Sequence, residues 1–298
     1  MSHWTATDIP DQTGRTYVIT GANSGIGLSA ARELAGKGAR VILAVRNTAK
    51  GEEAARTISS ETEVRALDLA DLGSVRAFAE AVDEDVDVLI DNAGVMNIPQ
   101  ARTADGFEMQ FGTNHLGHFA LTNLLLPRIT DRVVVIASGA HRLGKIRFDD
   151  LNWEHGYRRY RAYGQAKLAN LLFMSELQRK LQATGSPVRA VAAHPGWAAT
   201  NLQSHSGNRV ENALMVIGNR VLAQSGDMGA LPTLYAATQD IPGDTYIGPN
   251  GPGEVRGYPG IANRSAAAQD AAVAKRLWAE SERLTGVRFP SEMSALAQ

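Results

Sequence analysis

An α/β fold, a doubly wound parallel sheet of about seven strands with helices on both faces, is predicted by three observations. Short β-type runs alternate with helical stretches along most of the 298-residue chain. A glycine-punctuated turn, Thr20-Gly21-Ala22-Asn23-Ser24-Gly25-Ile26-Gly27, joins the first run to an Ala-rich helical pattern. Several of the runs are almost continuously apolar, as strands covered on both faces must be.

The elements follow in order. Tyr17-Val18-Ile19 is the first strand, and Leu28 to Leu34 lies in the first helix. Between them a strand, a glycine turn and a helix make a phosphate cradle, because the helix N-terminus presents unpaired N–H groups and a partial positive charge. Glycines let the backbone approach a pyrophosphate where a Cβ would collide. The spacing is G-x-x-x-G-x-G, not the more familiar G-x-G-x-x-G. Further strands are expected at Arg40 to Val45, Glu63 to Leu67, Val86 to Ile90, Arg132 to Ala137 and Val188 to Ala193, each separated by enough chain for a crossover helix. This is a Rossmann-type arrangement. Ligands in such sheets bind beyond the carboxyl ends of the strands, which picks out Thr20–Gly27, Arg46, Asp68, Asp91–Gly94, Ser138 and His194–Gly196.

After the sixth strand the pattern changes. Val210, Leu214, Ile217, Val221 and Leu222 recur at helical spacing, and a second helix is expected from about Asp227 to Thr238. The stretch from about 205 to 240 reads as a helical insertion, either a substrate lid or a packed helical pair. Thr245-Tyr246-Ile247 is a candidate seventh strand, Gly248 to Gly260 a Gly/Pro loop, and Ala267 to Leu284, with Trp278, a last helix. Residues 1–298 are read as one domain.

Composition narrows the function. A net charge of −1 gives no electrostatic footprint for nucleic acid, and the absence of Cys excludes disulfides, thiolate metal sites and a Cys nucleophile. The first residues lack a basic segment followed by an apolar core, and no run approaches the roughly 18 residues of a membrane span, so a cytoplasmic protein is expected.

The second strand ends Leu43-Ala44-Val45-Arg46-Asn47, without the acidic residue that holds the ribose hydroxyls in NAD sites. Arg46 instead offers a planar cation for a 2′-phosphate, which favours NADP(H) over NAD(H). Asp68 is placed to accept from the adenine amino group, with the Leu69 N–H beside it. Tyr163-Gly164-Gln165-Ala166-Lys167 puts a phenol and an ammonium on one helix face. A nearby cation stabilises the phenolate, so Tyr163 could give a proton to a carbonyl or take one from an alcohol, with Ser138 hydrogen-bonding the same oxygen.

These residues carry a resemblance. From about residue 14 to 247 the chain is similar to the short-chain dehydrogenase/reductase family: Thr20-Gly21-x-x-x-Gly25-x-Gly27, Asn92-Ala93-Gly94, Asn114, Ser138, Tyr163-x-x-x-Lys167, and Pro195-Gly196 with Thr200, in that order. The resemblance implies Tyr163 as general acid/base and Ser138 as its partner on the substrate oxygen. Lys167 would bind the nicotinamide ribose and depress the phenol pKa, and Asn114 would hold a water linking Lys167 to solvent. Thr200 and the backbone near Gly196 would face the carboxamide and phosphates. Val-x-x-Ala-Ser138-x-x-His141 and the long gap to Tyr163 resemble the retinol dehydrogenase-like branch. Two departures stand out: Asp91 occupies a position where the family often has Asn, a change expected to matter little, and the N-terminal membrane-anchoring segment of many retinol dehydrogenases is not seen.

The expected activity is therefore hydride transfer between nicotinamide and a carbonyl/alcohol carbon of a lipophilic small molecule. A non-catalytic NADP-sensing protein and a C=C double-bond reductase are the alternatives. The resemblance also allows a homo-oligomer assembled through long helices. Other motifs are read as structural. His115 and His118 lack neighbouring carboxylates or thiols, so no metal is expected, and they are taken for packing and surface residues. Tyr157 and Tyr160 are pocket-wall or loop residues, His194 is structural, and Arg158, Arg159 and Arg161 form a solvated helix start. Ser138 and His141 do not make a hydrolase, for the chain has no G-x-S-x-G elbow.

Overall fold

The computed structural model describes residues 3–197 and 225–290. Eight strands form one sheet: β1 (Thr16–Thr20), β2 (Arg40–Val45), β3 (Thr62–Ala66), β4 (Val86–Asp91), β5 (Ile129–Ile136), β6 (Arg189–Ala193), β7 (Tyr246–Pro249) and β8 (Pro259–Ile261). Their spatial order is β3-β2-β1-β4-β5-β6-β7-β8. The first seven are parallel, and β8 returns antiparallel along β7, with Ile247 opposite Ile261. The order reverses between β1 and β4, opening the crevice in which such sheets bind ligands.

Strand side chains alternate between two cores. Val18, Leu89, Val133 and Val135 face one layer with α3 (Leu72–Ala81), α5 (Gly117–Leu125), α6 (Arg159–Ala183) and α8 (Ala271–Thr285). Tyr17, Ile19, Ile90 and Val134 face the other, with α1 (Gly25–Gly36), α2 (Thr48–Ala55) and α7 (Gly226–Thr238). Both faces of the central strands are thus buried, which accounts for their unbroken apolar sequences. A short helix, α4 (Met109–Phe111), enters α5 through a π turn at Gly112–Leu116.

One detail departs from the sequence reading. An eighth strand lies inside the stretch expected to be loop. Of the helical stretch at 205–240, residues 226–238 form α7, which packs on α1 and the sheet with Ala230, Leu231 and Leu234 buried; residues up to 224 lie outside the described residues. The last helix, α8, is capped by Asp270, whose carboxylate accepts from Val273 N–H at 3.0 Å. It lays Trp278, 4% exposed, against Phe119 of α5 and Phe173 of α6, ring centroids 4.9 and 5.7 Å away. The side of those two helices that carries Phe119 and Phe173 is therefore covered by α8.

Candidate active site

The cradle at the end of β1 is built for close approach. Gly21 has φ +67°, and a Cβ there would stand 3.0 Å from Ala93 Cα; a Cβ on Gly27 would meet Asn92 Nδ2 at 2.5 Å and Gly21 O at 2.8 Å. The β1 turn and the Asn92-Ala93-Gly94 loop after β4 are thus pressed together. Thr20 fastens them: its Oγ1 accepts the N–H groups of Asn92 and Ala93, each at 2.9 Å, and its carbonyl accepts from Asn92 Nδ2 at 2.8 Å. Ser24, which precedes α1, makes no side-chain cap, so the first-turn N–H groups around Asn23, Ser24, Gly25 and Ile26 are left for an anion. The cradle fits a dinucleotide pyrophosphate.

Arg46 is exposed at the end of β2, and the next residue, Asn47, caps α2 by accepting from Lys50 N–H at 3.0 Å. Asp68 follows β3, with Oδ1 accepting the Ala70 N–H at 2.9 Å; Leu69 is buried.

The side chains expected to react sit on α6 and just beyond β5. Tyr163 is 6% exposed and its hydroxyl is hydrogen-bonded to the Ser138 side chain. Ser138 Oγ also accepts Ala140 N–H at 3.2 Å. One helical turn on, Lys167 Nζ donates to the Ile136 carbonyl at 2.9 Å and lies 5.7 Å from the Tyr163 ring centre. The electrostatics differ from expectation. Burial pushes the phenol up to about 12, and the contact that lowers it comes from Ser138, not Lys167. The ammonium is turned toward a backbone carbonyl and is itself drawn down to about 8 by burial. In the protein alone the phenol is held protonated.

Asn114 lies in the π turn. Its side chain is spent on the backbone of Val95, Oδ1 accepting the N–H at 2.8 Å and Nδ2 donating to the carbonyl at 2.9 Å. A Cβ on Gly94 would come within 3.0 Å of Asn114 Oδ1 and 3.9 Å of Lys167 Nζ, so the β4 loop, the π turn and α6 meet at one point. Beyond β6, His194 Nδ1 accepts from Gly196 N–H at 3.2 Å, and Trp197 N–H donates to Val255 O at 2.7 Å, tying Pro195-Gly196 to the loop after β7. Thr200 lies outside the described residues.

Two histidines that the sequence reading assigned to packing or the surface are both fully interior, His115 and His118 each 1% exposed. His118 joins the network of Thr20 and Asn114; its position four residues after Asn114, on the same helix face, was the available signal. Among the described residues no group of side chains is arranged to hold a metal.

The nucleotide cradle, the switch-point crevice and the paired phenol and ammonium on one helix define a nicotinamide-dependent oxidoreductase scaffold, and the comparisons agree. The short chain dehydrogenase family matches residues 15–211, and the chain belongs to that family. Within it the chain is retinol dehydrogenase-like. It is 43% identical to human Retinol dehydrogenase 13 over 296 residues, covering 93% of this chain and 86% of the relative. It is 51% identical to mouse Retinol dehydrogenase 12 over 205 residues, 65% of this chain and 64% of the relative. Among solved structures, an uncharacterised protein from Mycobacterium paratuberculosis superposes with a TM-score of 0.85 at 54% identity, covering 97% of this chain and all (100%) of that one. A Beutenbergia cavernae protein named as an NAD(P)-dependent gluconate 5-dehydrogenase, solved with NADP bound at low occupancy, is 27% identical with a TM-score of 0.56 over 77% of this chain and 92% of that one.

Proposed function

We propose that the protein is an NADP(H)-dependent reductase/dehydrogenase that interconverts a carbonyl and an alcohol on a lipophilic small molecule, with Tyr163 as general acid/base. The observation that carries this reading is the convergence of the Tyr163 phenol, the Ser138 hydroxyl and the Lys167 ammonium at the carboxyl end of β5, beside the cradle. When bound, the nicotinamide supplies the hydride to the carbonyl carbon, or accepts it from the alcohol. Ser138 hydrogen-bonds the substrate oxygen and so holds the carbonyl carbon in place. As carbonyl reduction proceeds, Tyr163 Oη gives its proton to that oxygen; a phenol raised to about 12 is in the right state for that role at neutral pH. The Ser138 contact favours the resulting phenolate, with the Lys167 ammonium the buried cation one turn away, and the Asn114 backbone is the proposed path by which the proton is restored.

Arg46 supports NADP(H): it is exposed at the end of β2, where an acidic residue would have served the ribose of NAD instead. The names of the retinol dehydrogenase relatives support an apolar substrate, and the apolar positions between Val210 and Leu222 point the same way.

The test is NADPH oxidation against a panel of aldehydes, ketones, steroids and retinal, followed by Tyr163→Phe on the best substrate. A fall of about 100-fold or more in kcat/KM, with NADPH affinity kept within about threefold, is expected from loss of the proton donor. Undiminished turnover in Tyr163→Phe would remove the assignment.

A further inference from the structure

A buried imidazole connects the cofactor cradle to the π turn, and its hydrogen bonds fix its state. His118 Nδ1 lies 3.0 Å from the Asn114 carbonyl, which can only accept, so Nδ1 carries a proton. Burial draws the ring down to about 3, so it is neutral and Nε2 is an acceptor. Thr20 Oγ1, 2.9 Å from Nε2, is then the donor, the Ile90 carbonyl being a more distant acceptor at 3.4 Å. That direction agrees with the other side of Thr20, whose Oγ1 already accepts from Asn92 and Ala93 N–H. The chain of bonds runs one way, from the β4 loop N–H groups through Thr20 and His118 to the Asn114 carbonyl.

From this chain we infer that His118 is a positioning residue for the reaction, holding the Asn114 carbonyl and the Thr20 end of the cradle in one fixed relation. The inference rests on the reading of the site given above. Thr20 lies 98 residues from His118 in sequence, and the imidazole bridges it to Asn114. A carbonyl has two lone pairs; His118 takes one, which restricts where a second donor can sit on the Asn114 oxygen. Among the described residues the titratable groups that face the imidazole are Lys167 and the buried, neutral His115, so the ring also stands beside the ammonium one turn from Tyr163. An ionised imidazole there would repel it; the Nδ1–H, Nε2-acceptor tautomer avoids this and serves both neighbours at once.

The two bonds can be separated by substitution. In His118→Asn the amide donor lies near the position of Nδ1 and can serve the Asn114 carbonyl, but cannot reach Thr20. In His118→Gln the longer side chain can accept from Thr20 Oγ1 and leaves the Asn114 side unserved. His118→Phe keeps the ring volume and removes both. NADPH affinity is read by fluorescence titration, and the pH profile of kcat with the best carbonyl substrate is read separately.

His118→Gln should keep NADPH affinity within about twofold while shifting the apparent pKa of kcat; His118→Asn should weaken NADPH about fivefold or more with a profile close to wild type. His118→Phe should show both defects. Wild-type affinity and profile in both His118→Asn and His118→Gln would overturn the inference, whether or not His118→Phe folds. If wild-type protein reduces no carbonyl tested, the proposed reaction fails. The affinity arms then decide alone: affinity lost in His118→Asn and kept in His118→Gln supports the bridge, and equal affinity in the two overturns it.

Discussion

Thr122 donates its hydroxyl to Oδ2 of Asp91 at 2.8 Å, while the second carboxyl oxygen of Asp91 has no hydrogen-bond partner among the described residues. This carboxyl sits at the end of β4, 1% exposed, where the family often has Asn. The exchange was expected to matter little, yet it puts an ionisable group where water does not reach. Burial pushes its pKa up to about 8.

The consequence is a pH-dependent stability. Unfolded, Asp91 releases its proton near the ordinary value of 3.8; folded, it keeps that proton to about 8. Over that window the native state binds the extra proton, so stability declines as pH rises, by at most about 1.4 kcal/mol per pH unit. Asp91→Asn retains an acceptor for Thr122 and does not ionise. Urea unfolding should show variant and wild type close below about pH 4, with Asp91→Asn several kcal/mol more stable at pH 8. Parallel curves from pH 5 to 8 would contradict this.

Lys167 gives the opposite sign. Its ammonium is drawn down from 10.5 to about 8 by burial. Below pH 8 the native state bears the whole cost of the buried charge; between about 8 and 10.5 it sheds the proton first, and stability recovers. Lys167→Met should therefore be more stable than wild type at pH 7, by about 1–3 kcal/mol, with the advantage shrinking above pH 8. Asn170 Nδ2 still serves the Ile136 carbonyl at 3.1 Å, so no acceptor is orphaned. Turnover should be lost. Melting curves across pH with activity in parallel check both halves; a destabilised variant at pH 7 would refute the first.

Arg46→Ala addresses the cofactor. A charge-assisted contact to a 2′-phosphate contributes about 1.5–3 kcal/mol. NADPH should therefore bind about tenfold to a hundredfold more weakly, with NADH within about twofold of wild type. Equal effects on both nucleotides would show that Arg46 does not read the phosphate.

What was legible in the chain was local or repetitive. Gly21, Gly25 and Gly27 between a strand and a helix, and Tyr163 and Lys167 one turn apart, could be read because the chemistry and the spacing lie within a few residues. The apolar strands were legible because covering a sheet on both faces leaves no polar positions. β8 was not, since Pro259 and Gly260 argue for loop and become strand only because β7 offers its edge. The Lys167 ammonium was expected to acidify Tyr163; which way it turns depends on Ile136, at the end of a strand 31 residues earlier. His118 was passed over for the same reason, its partner Thr20 lying 98 residues earlier in the chain.

The seal that Trp278 makes over Phe119 and Phe173 also sets an order of events during synthesis. Until residues 271–285 have left the ribosome, the nascent polypeptide shows an oily stripe with nothing to lie against it. The nucleotide half, β1 to β4, can organise early, but the far side must wait. A cell making this protein has to shield that stripe during the interval, and a stall before residue 271 should yield a chaperone-bound or aggregated product.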